Sequence, residues 1–194
     1  MSQFQLYFDL GLEHILDMAG FDHIVFIIIL CAIYLVRDWK RILILVTAFT
    51  IGHTFTLALA TLKVITVDTK LVEFLIPLTI FITAITNLFH KDSSIKPKRT
   101  NLNYYLAVFF GLVHGLGFSN NLRSLLGKEE TIVTQLISFN IGIEIGQIAI
   151  VLLFLLSSFI FVDLLSVGRR DWKMIISSAG GGIAVMLMLQ NKFW

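Results

Sequence analysis

Apolar residues fall into six blocks along the chain: Phe21 to Val36, Ile42 to Leu62, Leu71 to Phe89, Leu102 to Phe118, Ile132 to Val162 and Trp172 to Leu189. About 20 apolar residues are needed for a helix to cross the hydrocarbon core, so the pattern predicts an all-α, polytopic membrane bundle of about six spans. The first and fourth blocks, at about 16 residues, sit near the lower limit, which places their ends in water-accessible hollows or buried helix. The fifth is long and must tilt or protrude. Ahead of the first block, Phe4, Phe8, Leu12, Ile15 and Ala19 recur at helical spacing, with Asp9, Glu13 and Asp17 off that stripe. This predicts an amphipathic interfacial helix over residues 1–20, and Gly20 allows a turn into a six-span bundle over 21–189. The chain reads as one transmembrane domain, 1–194, and the stretch from Lys91 to Asn103, with Pro97, is its clearest linker.

Composition narrows the class. Of 194 residues 57% are hydrophobic and 14% charged, against about a quarter charged in soluble domains, which excludes a soluble globular enzyme. The net charge of +2 gives none of the basic excess that nucleic-acid binding needs. Cys31 is the lone cysteine, so no intrachain disulfide and no thiolate-rich metal site can form, and any metal must take nitrogen and oxygen ligands. The first fourteen residues carry no Lys or Arg, a pattern that does not fit a cleaved signal peptide. Lys and Arg otherwise concentrate in the first, third and fifth loops, ten against five on the opposite side. The positive-inside rule therefore predicts both termini on the outer face.

Within this apolar background the ionisable residues need reasons, because each costs about 2.5–3.5 kcal/mol at a span centre on insertion scales. They are His14, Asp17, Asp22 and His23 around the start of the first span, His53 in the second, His114 in the fourth and Glu144 in the fifth. Asn140, Glu144 and Gln147 lie at i, i+4 and i+7, on one helical face. His90, in a basic loop, reads as solvated. Counting at 1.5 Å per residue, His53 lies about 15 Å below the outer end of its span, and the other polar positions also fall in the outer half. The inner halves read as nearly devoid of polar residues. Gly111 and Gly115 flank His114, and Gly142 and Gly146 flank Glu144, small-residue spacings that let helix backbones approach. Pro77 removes the hydrogen bond that the Glu73 carbonyl would accept and is expected to kink the third span, which brings Glu73 toward the same cavity. Gly180, Gly181 and Gly182 suggest tight packing or unwinding without chemistry.

A lone intramembrane histidine is more often a packing residue than a ligand, Asn140 and Gln147 can be interhelical glue, and Asp9, Glu13 and Asp17 read first as a solvated face. Four histidines at one depth with two carboxylates change the balance toward a metal or proton site. Neutral imidazole with carboxylate suits nickel, zinc, cobalt, copper or iron and is too nitrogen-rich for calcium or magnesium. Asp22 beside His23, and Asp17 three residues after His14, fit as ligands or as acceptors for the other ring nitrogen.

Four motifs carry a resemblance: His14 followed by Gly-Phe-Asp22-His23-Ile-Val-Phe, Thr47-Ala-Phe-Thr-Ile-Gly-His53-Thr-Phe-Thr-Leu, Phe110-Gly-Leu-Val-His114-Gly-Leu-Gly-Phe, and Phe139-Asn140-Ile-Gly-Ile-Glu144-Ile-Gly-Gln147. Their order, from about Gly11 to Gln147, resembles the HupE/UreJ family of small bacterial membrane proteins. Family members are associated with hydrogenase and urease gene clusters and regarded as nickel or nickel/cobalt permeases. The resemblance implies a bacterial cytoplasmic membrane location and a functional set of His14, Asp22, His23, His53, His114 and Glu144. In one departure, eight positions separate His14 from Asp22, more than the family form leads one to expect. Three functions compete on this reading. A divalent-metal permease leads. A membrane-embedded metalloenzyme, hydrolytic or redox, acting on a lipidic or membrane-bound substrate uses the same residues but lacks HExxH or GxSxG. Bis-imidazole haem ligation by His53 and His114 leaves Asp22 and Glu144 unexplained. Lipid and a metal ion are the expected partners. The Phe-rich surface suits subunit contact as well as lipid.

Overall fold

The computed structural model describes residues 2–18, 20–90, 100–119, 122 and 132–193, and these are helical with no strand among them. Seven helices follow in order: α1 (Gln3–Leu16), α2 (Asp22–Cys31), α3 (Trp39–Thr61), α4 (Thr69–Leu88), α5 (Thr100–Gly117), α6 (Val133–Ser158) and α7 (Arg169–Gln190). Local chemistry sets several ends. The Ser2 hydroxyl accepts from the Gln5 N–H at 3.2 Å and opens α1. The Asp68 carboxylate accepts from the Lys70 N–H at 2.9 Å and opens α4. A short 3₁₀ turn, Val36–Asp38, feeds α3, and α6 finishes in a π-helical turn, Phe159–Leu164.

Among the described residues four segments are long and apolar enough to cross a membrane: Val36–Thr61, Thr69–Leu88, Val133–Leu164 and Arg169–Gln190. These match the second, third, fifth and sixth expected spans. The first block becomes α2, only 10 residues or about 15 Å long, and so reaches about half-way through a hydrocarbon core of about 30 Å. The fourth becomes α5. Most of the expected linker from Lys91 to Asn103 lies outside the described residues, α5 beginning at Thr100. Outward faces of α3, α6 and α7 present Ile44, Ile51, Phe55, Leu152, Leu153 and Ile175, the side chains that a lipid environment accepts.

The main helix contacts are α3 with α5, α1 with α6, and α4 with α7. In the first two pairs the backbones touch. A Cβ on Gly52 would sit on the Val108 carbonyl oxygen, and one on Gly111 would sit on that of Phe49. Gly11 meets Phe139, and Gly142 meets Phe8, in the same way. The helix expected at the interface is thus packed lengthwise along α6, burying Tyr7, Gly11 and Ile15, with the Ser138 hydroxyl donating to the Phe4 carbonyl. Its amphipathic stripe is a helix-packing face, which periodicity alone cannot tell from a lipid-binding one.

α4 and α7 run antiparallel. Asn191 donates to the Glu73 carbonyl at 3.1 Å, the acceptor that Pro77 leaves without its helical partner, and α4 continues unbroken through the proline. Gly181 lies against Ala84, and Gly180 against Ile29 of α2, so the triple glycine is a packing site without unwinding. At the other end Lys173 donates to the His90 carbonyl at 2.5 Å and Arg169 to the Ile33 carbonyl at 3.0 Å. Two residues counted above for topology thus cap the C-terminal ends of α4 and α2. His90 is half-buried rather than fully solvated.

The backbone contacts give a direct check. Gly52→Ala is expected to lower the melting temperature in detergent because α3 and α5 must separate, an overpacking cost of about 1–3 kcal/mol. Gly182→Ala, where a Cβ meets nothing within 4 Å, is expected to leave it unchanged or raised, since Ala gains about 1 kcal/mol over Gly in a helix. Equal losses for the two variants would show that the close contact does not hold the pair together.

Candidate metal centre

Each histidine is delivered by a feature of the local fold. His53 follows Gly52 in α3, and His114 stands three residues after Gly111 in α5, so the same contact that closes that helix pair brings both imidazoles into one interior. His14 stands three residues after Gly11 in α1, carried inward by the contact with α6. His23 lies in the first turn of α2. The rings of His14 and His23 have centroids 4.7 Å apart, His14 and His53 6.0 Å, His23 and His53 6.2 Å, and His23 and His114 5.2 Å. Four helices, α1, α2, α3 and α5, converge here.

The donor atoms are arranged for a cation. One ring nitrogen from each of His14, His23 and His53 lies within 4.8 Å of the others. Two nitrogens on one ion are at most about 4 Å apart, so about 1 Å of side-chain adjustment closes the set. Hydrogen bonds fix two of the ring tautomers. Asp22 Oδ1 accepts from the His23 backbone N–H at 2.8 Å and lies 2.9 Å from His23 Nδ1. A carboxylate only accepts, so Nδ1 carries the proton and Nε2 keeps its lone pair. Thr79 on α4 donates its hydroxyl to the Ile76 carbonyl at 2.7 Å and lies 3.1 Å from His114 Nε2. One hydroxyl proton serves both contacts only if Nε2–H of His114 donates to Thr79, which leaves Nδ1 as the free acceptor. Among the described residues His14 Nε2, His23 Nε2, both nitrogens of His53 and His114 Nδ1 are buried without a partner. An unpaired buried polar atom costs about 1–3 kcal/mol, and a cation relieves that cost at one nitrogen of each ring it coordinates, leaving the second nitrogen of His53 unpaired.

Aromatic rings close the site. Phe118 lies against His14 with centroids 4.1 Å apart and stacks on Phe139 at 5.1 Å. Phe26 and Phe49 each lie 5.1 Å from His114. His23, His53 and His114 are 5%, 0% and 1% exposed, so bulk water does not compete for the nitrogens. His14 is half-buried and borders an open groove formed by Leu10, Leu12, Glu13, Leu16, Asp17, Met18 and Phe118.

The other sequence candidates are placed differently. Asp22 touches the set through His23. Asp17 ends α1 on the exposed side of the groove. Glu144 is not brought to the histidines: its carboxylate accepts from Thr47 at 2.6 Å, and Thr47 lies six residues, about 9 Å along α3, from His53. Gln147 Oε1 accepts from Thr50 at 2.7 Å, and Asn140 Oδ1 pairs with Thr54 at 2.5 Å, so the polar face of α6 forms a hydrogen-bonded seam with α3. The Glu73 side chain is exposed. Sequence reasoning passed over Thr79 and the phenylalanines. Thr79 falls four residues before Thr83 on one face of α4, a polar stripe that was the available signal. The phenylalanines carried none, being lost among seventeen.

Apolar helices long enough to span a bilayer, enclosing a dry set of imidazoles with free lone pairs, define a helical membrane protein with a buried histidine centre able to hold a metal. The chain belongs to the HupE/UreJ family: the family model described as HupE / UreJ protein matches residues 1–193, so the likeness carried by the four motifs extends over essentially the whole chain. Comparison with curated proteins gives no match, and neither does comparison with solved structures.

The Thr79 bond has a measurable consequence. Thr79→Val removes the acceptor for His114 Nε2–H and is expected to weaken Co²⁺ binding about tenfold, the lower end for loss of a ligand-orienting partner. Thr79→Ser is expected to retain wild-type affinity. Titration of the purified protein, followed by cobalt absorption, measures both, and equal affinity for Val and wild type would remove Thr79 from the site.

Proposed function

We propose that this protein is a divalent-metal permease of the nickel/cobalt type, with His14, His23, His53 and His114 as the outer binding stage for the cargo. The observation that carries the reading is the set of buried, unpartnered imidazole nitrogens facing one another inside a ring of phenylalanines. Nitrogen donors select borderline transition metals over calcium or magnesium, and Asp22 supplies one compensating charge through His23. Glu144, named by the resemblance, stands outside this stage and serves the α3–α6 seam.

Orientation supports uptake from outside. The Lys and Arg distribution puts both termini on the outer face of a bacterial cytoplasmic membrane. On that orientation α1, parallel to α6, starts at the outer end and carries His14 inward, and the groove beside His14 has Glu13 and Asp17 on its wall to raise the local cation concentration. The cargo sheds water in the groove and exchanges it for imidazole nitrogen. His14, half-buried at the boundary, is the first of these ligands, and His53 and His114 lie deeper.

A second reading, a membrane-embedded metalloenzyme, draws on the same groove, because Leu10, Leu12, Leu16 and Phe118 would accept a lipidic chain next to a metal-activated water. Flux separates the two. Proteoliposomes holding the wild-type protein are expected to accumulate Ni²⁺ or Co²⁺ down an imposed gradient. His53→Ala and His23→Ala are each expected to cut the initial rate at least tenfold, a loss on the order of 1.4 kcal/mol or more. Metal retained by the protein with no flux above empty vesicles is the outcome that sinks the permease and leaves the enzyme.

A further inference from the structure

A permease needs a way from the histidines to the inner end of the bundle. Two polar tracks start near them. The α3–α6 seam leads from Thr54 and Asn140 to Thr47 and Glu144 but emerges sideways, with exposed Ile44, Ile51, Ile141 and Ile145 around it. A hydrated cation cannot leave into hydrocarbon. The second track lies inside. On α4, Thr79, Thr83 and Asn87 are all buried and share one face at i, i+4 and i+8, covering about 12 Å of helix. Its upper end is bonded to His114 through Thr79.

The lower end of this track is marked by α7. Asn191 pairs with Glu73, Gly181 with Ala84 and Lys173 with His90, a constant antiparallel register that puts Ser177 level with Asn87. Ser177 is fully buried and its hydroxyl has no partner among the described residues. Lys173 is 3% exposed, and its ammonium is held by the His90 carbonyl at 2.5 Å. The threonine hydroxyls bond to carbonyls of their own helix, Thr83 to Thr79 at 2.8 Å, and their oxygens keep lone pairs free for a passing cation.

We infer that the cargo leaves the histidine site along the buried polar face of α4, past Thr79, Thr83 and Asn87, toward the end of the bundle where Ser177 of α7 stands level with Asn87. This rests on the permease reading. The route is closed in the present conformation by Ile29, which fills the space beside Gly180. Thr83 and Ser177 lie outside the histidine set, so they are positioned to affect passage without affecting capture, whereas Asn87 also donates to the Ile29 carbonyl of α2 at 2.7 Å.

Nickel flux into proteoliposomes and equilibrium nickel binding, measured on the same preparations, test this. Thr83→Val and Ser177→Ala are each expected to slow flux about tenfold while the dissociation constant stays within about twofold of wild type, which also shows that the variants are folded. Wild-type flux in both Thr83→Val and Ser177→Ala, with binding intact, overturns the route. Wild-type protein that binds nickel and never moves it ends the permease reading and the route together, an outcome distinct from unchanged flux in the variants.

Discussion

Where Gly52 meets Val108 and Gly142 meets Phe8, no side chain separates the two helices, and the convergence of the histidine rings follows from that closeness. An ordinary helix pair stands 8–10 Å apart, and imidazoles projecting from four such helices would need long or bent arrangements to meet. Backbone contact in α3–α5 and in α1–α6 shortens those distances. The short helix α2 packs against α4, α6 and α7 and brings Asp22 and His23 to the same place with its first turn.

A dry, imidazole-lined centre solves a charge problem that a carboxylate-lined one would not. Several carboxylates packed as closely as these rings would repel one another strongly in a low-dielectric interior without a cation. Neutral histidines cost only unmade hydrogen bonds, so the site persists whether or not a cation is bound. Asp22 keeps its charge at the half-exposed edge and acts through the His23 ring, which raises the basicity of the nitrogen facing the centre. The phenylalanines exclude water, and that exclusion lets nitrogen donors compete with the hydration shell of a transition metal.

His23, His53 and His114 could be read from the chain because a polar residue in an apolar run has few explanations, and Asp22 because it adjoins one of them. Glu144 satisfied the same reasoning, yet the structure turns it toward Thr47: helical spacing shows which residues share a face, not which helix that face meets. The residue of α6 level with His53 on α3 is Asn140, partner of Thr54, and Glu144 stands one turn further along. The amphipathic stripe of α1 could be read as a stripe, but its burial against α6 depends on Gly11 and Gly142 meeting across more than 130 positions of sequence. Thr79 could not be distinguished from the many threonines that bond to their own backbone, which it also does.

The two polar tracks beside the histidines also show why hydrogen bonding within a bundle can either glue or conduct. In the α3–α6 seam each polar side chain of α6 is matched by a threonine of α3. Opening it would break three interhelical bonds at a surface flanked by isoleucine. Along α4 the threonines spend their protons on carbonyls of the same helix, so moving α4 relative to α7 breaks none of those bonds. What resists that motion is concentrated at its ends, in Asn191 with Glu73 and Lys173 with His90, and in the fit of Ile29 against Gly180. On its other faces α4 is tied to α2 by Asn87, which donates to the Ile29 carbonyl at 2.7 Å, and to α5 by Thr79 beside His114, so a shift of α7 alone leaves the histidine cluster and its bonds in place.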